Sequence, residues 1–185
     1  MKKEYETIDE ALKNNFNTNT NNKALILIEE LKDVKSKGYF TRVEFLKMCM
    51  WKSPRPKKFY LENSEDTIQN VSRIALAEIS ENVKIELLTS LRGVSIPVGS
   101  AILTLIEPQN YGVIDIRVWQ TLHTYGLVNT KPQGRGFTTQ DWITYLEKLR
   151  ELAHKLKTSV RDIEINLFFY HKKIQEGNLY TKGAA

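Results

Sequence analysis

Asp115 lies in the run Tyr111-Gly-Val-Ile-Asp-Ile-Arg-Val-Trp119, directly ahead of an apolar-periodic stretch. That spacing puts a carboxylate at the first turn of a helix, where the aligned peptide dipoles favour its ionised form. Upstream, the run Leu88-Thr-Ser-Leu-Arg-Gly-Val-Ser-Ile-Pro-Val-Gly-Ser-Ala-Ile-Leu103 reads as helix, tight turn, helix. Gly93 supplies the left-handed residue that ends the first helix. Pro97 suits the first turn of the second, where a missing N–H costs nothing. The turn Arg92-Gly93-Val94-Ser95 therefore presents backbone N–H groups at a helix N-terminus, a ready site for an anion such as phosphate. Arg117 adds a cation two residues after Asp115. Lys52, Arg55, Lys57 and Lys58 are interleaved with Trp51, Phe59 and Tyr60, a mixture that suits nucleic acid: charge for the backbone, rings for unpaired bases. Each feature also has a plainer reading. Asp115 can be a helix cap and nothing more, the turn a bundle connection, Arg117 a solvated cation, and the aromatics core plugs.

The elements that must position these groups all read as helices. A weak amphipathic helix spans residues 5–14, and the Asn- and Thr-rich tract 15–22 reads as a polar linker. Residues 23–37 form a helix with Leu25, Ile28, Leu31 and Lys35 on one stripe and Gly38 as its stop. Thr41 and Glu44 make a capping box that opens the next helix. Pro54 and Pro56 give residues 51–60 an extended or irregular path. Ser64 caps a helix whose stripe is Ile68, Val71, Ile74, Ala75 and Ile79. Helices follow over 83–91, 97–106 and 116–125, the last closed by Gly126, and then an irregular loop over 129–136. Thr138 or Thr139 caps a long helix to about residue 157, Ser159 caps the final one, and residues 178–185 read as a flexible tail. No period-two alternation marks a strand, so the expectation is all-α, with some nine helices.

With 185 residues and 41% hydrophobic content, the chain is expected to form a single helical domain over 1–185, with room for two lobes. A formal charge of +5 and a sequence pI near 9.2 favour an acidic partner, nucleic acid first. The single cysteine, Cys49, excludes an internal disulfide framework and a four-cysteine iron–sulfur cluster. His123, His154 and His171 lack metal-ligand spacing, and no metal is expected. Neither an apolar leader nor a run of about eighteen apolar residues occurs, so the expected location is cytoplasmic, with no membrane partner. No protein partner can be inferred.

The run L-x-G-V-x-x-x-x-x-x-A-I-L over residues 91–103, followed by V-I-D-x-R-V over 113–118, resembles the signature segment of the helix-hairpin-helix DNA glycosylase superfamily. The likeness is to its oxoguanine-glycosylase-like branch and spans residues 88–126. It implies a two-lobed helical bundle in which residues 81–126 hold the hairpin and the catalytic-aspartate segment. It further implies double-stranded DNA as partner, phosphates on Arg92, Gly93, Val94 and Ser95, and Asp115 as the catalytic carboxylate. No cofactor is implied beyond a monovalent cation on the hairpin carbonyls. Arg117 stands where that branch has a phosphate-touching histidine, and Trp119 also echoes it, although its place in a helix suits the core. Pro97 falls where lyase-active members carry a lysine, which implies a monofunctional enzyme that uses water to hydrolyse the N-glycosidic bond of an extruded base. Lys84, or a lysine between 52 and 58, could take that lysine's place, but nothing in the sequence singles one out. Ser95 and Arg92 depart from the usual glycine and proline. Two other readings stay open: a non-catalytic helix-hairpin-helix DNA-binding module, and a helical interaction protein with a degenerate site.

Overall fold

Eleven α-helices and no strand make up the described part of the chain, residues 3–17, 22–177 and 179 of a computed structural model. The centre is α8 (Ile96–Ile106), an almost wholly apolar helix in which every residue from Val98 on is buried. A helix apolar all round belongs inside a core. Around it pack α2 (Asn22–Glu30), α4 (Arg42–Lys52), α7 (Glu81–Thr89) and α10 (Thr139–Leu156). Gly99 lets α7 approach: a Cβ there would come within 2.8 Å of Ile85 Cδ1. On the other side, α11 (Val160–Ile174) packs against α9 (Ile116–Thr124), α10 and α1 (Ile8–Asn15). One continuous cluster of buried apolar side chains joins both groups, with Trp119, Trp142, Tyr145 and Phe45 among its largest members.

Several boundaries differ from the sequence reading. The helix expected over 23–37 breaks into α2 and a short α3 (Val34–Lys37), because the Leu31 N–H is shared between the carbonyls of Leu27 and Ile28 and the turn tightens. Its buried stripe is Ala24, Leu27, Leu31 and Val34, while Leu25 is 54% exposed. The proline-rich segment is not extended throughout. Pro56 takes the cap position of a short helix, α5 (Lys57–Leu61), in keeping with the fixed φ of proline at helix starts. Past α6 (Glu65–Ala77), Ile79 lies beyond the helix end and is 93% exposed. The expected linker is shorter than 15–22: Asn15 ends α1, Asn22 begins α2, and Asn17 N–H donates to Asn166 Oδ1 at 2.7 Å. Residues 18–21 lie outside the described residues. So does the expected tail, apart from Leu179, whose carbonyl accepts from Arg135 at 2.7 Å.

Capping boxes form at Thr7, Thr41, Thr138 and Ser159, so Thr138 rather than Thr139 opens α10. Among the described residues no helix is long and apolar enough to cross a membrane.

Candidate functional site

Asp115 is the N-cap of α9, its Oδ1 accepting the Arg117 N–H at 3.0 Å. Its other oxygen, Oδ2, accepts from Lys52 Nζ at 3.0 Å. The two side chains are 23% and 18% exposed, so the pair is half-buried but reachable. Both line a cavity of about 260 Å³ together with Arg55, Ser95, Pro97 and Phe137. That volume lies just below the roughly 300–1,000 Å³ of drug-sized ligand pockets, which leaves room for one small ring rather than a large ligand.

The carboxylate is held in place by its neighbours in the chain. Ser100 Oγ, on the buried face of α8, accepts the Ile114 N–H at 3.1 Å and donates to the Pro97 carbonyl. Tyr145, from α10, donates its hydroxyl to the Val113 carbonyl at 2.7 Å. Burial first, and then the charge of nearby Asp115, push that phenol well above its ordinary range, so it stays a proton donor. Glu164 of α11, ion-paired with Arg161, accepts the Val113 N–H at 3.4 Å. Residues 113 and 114 are thus pinned from three helices, and Asp115 inherits a fixed position. Lys52 is fixed from another side. It is the last residue of α4, and the chain turns at Ser53, whose carbonyl accepts the hydroxyl of the buried Tyr60 at 3.2 Å.

The turn between α7 and α8 has the expected left-handed residue, Gly93 at φ +85°. A Cβ there would meet Tyr60 Cδ1 at 2.8 Å and Phe59 Cβ at 3.0 Å, so only glycine fits on both counts. Asn63, nearly buried, clamps the turn: Oδ1 accepts the Arg92 N–H at 2.9 Å and Nδ2 donates to the Arg92 carbonyl at 3.0 Å. The Leu91 carbonyl is also engaged, by the Val94 N–H. Val94 is buried, and Ser95 caps α8 without a side-chain hydrogen bond. The N–H groups of Gly93, Ser95 and Ile96 find no acceptor among the described residues.

The remaining basic residues divide. Arg55 faces the cavity. Lys57 is exposed at the start of α5, and Lys58 lies over the Phe59 ring at 4.8 Å. Arg92 pairs with Glu62 and also lies over Phe59, at 5.9 Å. Phe59 is therefore a surface ring beside the turn with two cations over it, whereas Tyr60 is core. Arg117 is engaged elsewhere: its guanidinium donates to Gln175, lies 3.2 Å from His171 Nδ1, and covers Phe168. It does not line the cavity. Trp119 is a core residue whose Nε1–H donates to the carbonyls of Thr130 and Lys131, tying down the 129–136 loop.

Sequence reasoning missed Asn63, Ser100 and Tyr145, since polar residues that bond distant backbone carry no local pattern. It left the lysines between 52 and 58 undivided, and only the packing of α4 on α8 distinguishes Lys52. Among the described residues no cluster of three or more His, Cys, Asp or Glu side chains is arranged to hold a metal ion. Comparison with family models, curated proteins and solved structures gives no match.

Proposed function

We propose that the chain is a helix-hairpin-helix, DNA-glycosylase-like protein that binds double-stranded DNA and hydrolyses the N-glycosidic bond of an extruded base. One observation carries this reading: the Asp115 carboxylate and the hairpin residues Ser95 and Pro97 line a single cavity. On this reading the free N–H groups after Gly93 grip a phosphate, and Arg55, Lys57 and Lys58 extend the contact along the backbone. Phe59 fills the gap left by a base that swings out. Asp115, held at the start of α9 beside Lys52, stabilises the cationic sugar as the base departs. The pinned backbone at 113–114 supports the role, because a charge already in position needs no reorganisation when the cation develops.

Stabilising that cation by about 3–4 kcal/mol corresponds to two to three decades in rate. Asp115→Asn, incubated with a panel of duplexes carrying damaged or mispaired bases, is therefore expected to bind as wild type does while base release falls by about that factor. Release of no base by the wild-type chain from any duplex overturns the enzymatic reading. A non-catalytic binding module is favoured by a different observation: both Asp115 oxygens already serve structural bonds, a cap and an ion pair. It expects the two proteins to bind DNA equally and to leave every base in place.

A further inference from the structure

We infer that the groove between α2 and α4 is a second nucleic-acid site, which takes a stretch of unpaired strand running on from the duplex. The inference takes its partner class, DNA, from the proposed function, but a different surface carries it. α2 and α4 pack on α8 more than on each other, and the gap between them is an open groove of about 440 Å³. Ile26, Leu27, Met50 and Trp51 give it an apolar lining. Among the described residues nothing covers it: Ile26 is 60% exposed, and Met50 and Trp51 are only half-buried. Charge decides between occupants. Lys47 pairs with Glu30 at 2.6 Å, and Lys23 has no anionic partner among the described residues. Two lysines against one glutamate leave the lining net positive, which favours a polyanion over a second copy of this chain with its own charge of +5.

Trp51 narrows the polyanion to a single strand. Arg161, buried and ion-paired with Glu164, lies over the indole at 5.5 Å, and a cation against the ring holds it in place. A fixed aromatic ring with lysines beside it suits unpaired nucleotides, whose bases stack on the ring while the ammonium groups meet phosphates. A paired base has its faces covered by its neighbours in the stack, so a duplex alone cannot use the ring. The groove also adjoins the cavity. Trp51 and Lys52 are the last two residues of α4; Trp51 lines the groove and Lys52 lines the cavity with Asp115. A strand leaving the duplex beside the cavity meets this ring next.

Intrinsic fluorescence reads the site directly, because Trp119 and Trp142 are fully buried and Trp51 is the one partly open tryptophan of the three. The full chain is titrated with a thymidine oligonucleotide, a blunt duplex, and the same duplex carrying a thymidine overhang. The single strand and the overhang are expected to quench the emission, and the overhanging duplex to bind more tightly than the blunt one. Trp51→Ala should weaken binding of the single strand by about five- to a hundredfold, the range for losing one base–aromatic stack, and Trp51→Phe should keep most of the affinity. Ile26→Glu changes an exposed position and places a carboxylate in the groove, so it keeps the test sharp even if Trp51→Ala fails to fold. It should remove most of the preference for the overhang and leave blunt-duplex binding unchanged. Equal affinity for the two duplexes, or a preference that survives both variants, overturns the inference. So does self-association of the chain that Ile26→Glu abolishes and no oligonucleotide competes, which gives the groove to a second copy. An overhang preference without base release from any lesion duplex leaves this inference standing and removes the glycosylase reading. Base release without an overhang preference does the reverse.

Discussion

At the scale of single residues, burial fixes the protonation state of His171, whose ring sits between α9 and α11. Arg117, which can only donate, faces its Nδ1, so the proton must be on Nε2, which faces Gln120 Oε1 at 2.9 Å. Burial, and then the neighbouring Arg117 charge, lower its pKa from 6.5 to about 4. The unfolded chain therefore binds a proton between those values that the folded chain refuses. This contribution to stability is complete above about pH 6.5 and is lost as the pH falls toward 4, on the order of 3 kcal/mol in all. Denaturant unfolding of wild type and His171→Gln at about pH 7 and pH 4.5 checks this. The loss on acidification should be smaller in the variant by most of that amount, and an equal loss in both would place the acid sensitivity elsewhere.

At the scale of elements, the turn between α7 and α8 depends on contacts that lie outside the hairpin itself. Asn63 and Tyr60 come from the segment after α4, and they set the path of residues 92–95. Asn63→Ala removes a nearly buried side chain that satisfies both backbone groups of Arg92, and should cost about 1–3 kcal/mol. Gly93→Ala adds the strain of a left-handed alanine to a clash with Tyr60, and is expected to cost at least about 1 kcal/mol. Both variants should lose DNA affinity beyond their loss of stability, measured well below their melting temperatures. Unchanged affinity in both would remove the turn from the binding surface. The α4–α5 segment was the part least legible in the sequence. Two prolines spoke for an irregular path, but Pro56 was compatible with a helix start, and nothing local said that Lys52 would meet a carboxylate sixty-three positions away.

At the scale of the whole molecule, the excess positive charge needs a place to act. Arg55 lines the cavity, Lys57 is exposed at the start of α5, Lys58 lies over Phe59 beside the turn, and Arg117 is tied to α11. Binding to an undamaged duplex should therefore weaken with salt, each residue that meets a phosphate adding about one to the slope of log affinity against log salt. Titrations at several salt concentrations should show a shallower slope for the Arg55, Lys57 and Lys58 triple alanine variant and an unchanged one for Arg117→Ala. The reverse order would place the DNA on the α9–α11 face.

What could be read from the residues alone was local: helix periodicity, the caps at Thr41, Ser64 and Ser159, the left-handed Gly93 and the aspartate at the start of α9. These depend on backbone geometry over a few residues, and the sequence states them directly. What only the folded chain decided was which distant groups meet. The pairing of Lys52 with Asp115, the Ser100 and Tyr145 bonds to residues 113–114, and the diversion of Arg117 to α11 all follow from how helices dock on α8 and α11. Docking depends on side-chain volumes summed over the whole core, and no short window of sequence contains that sum.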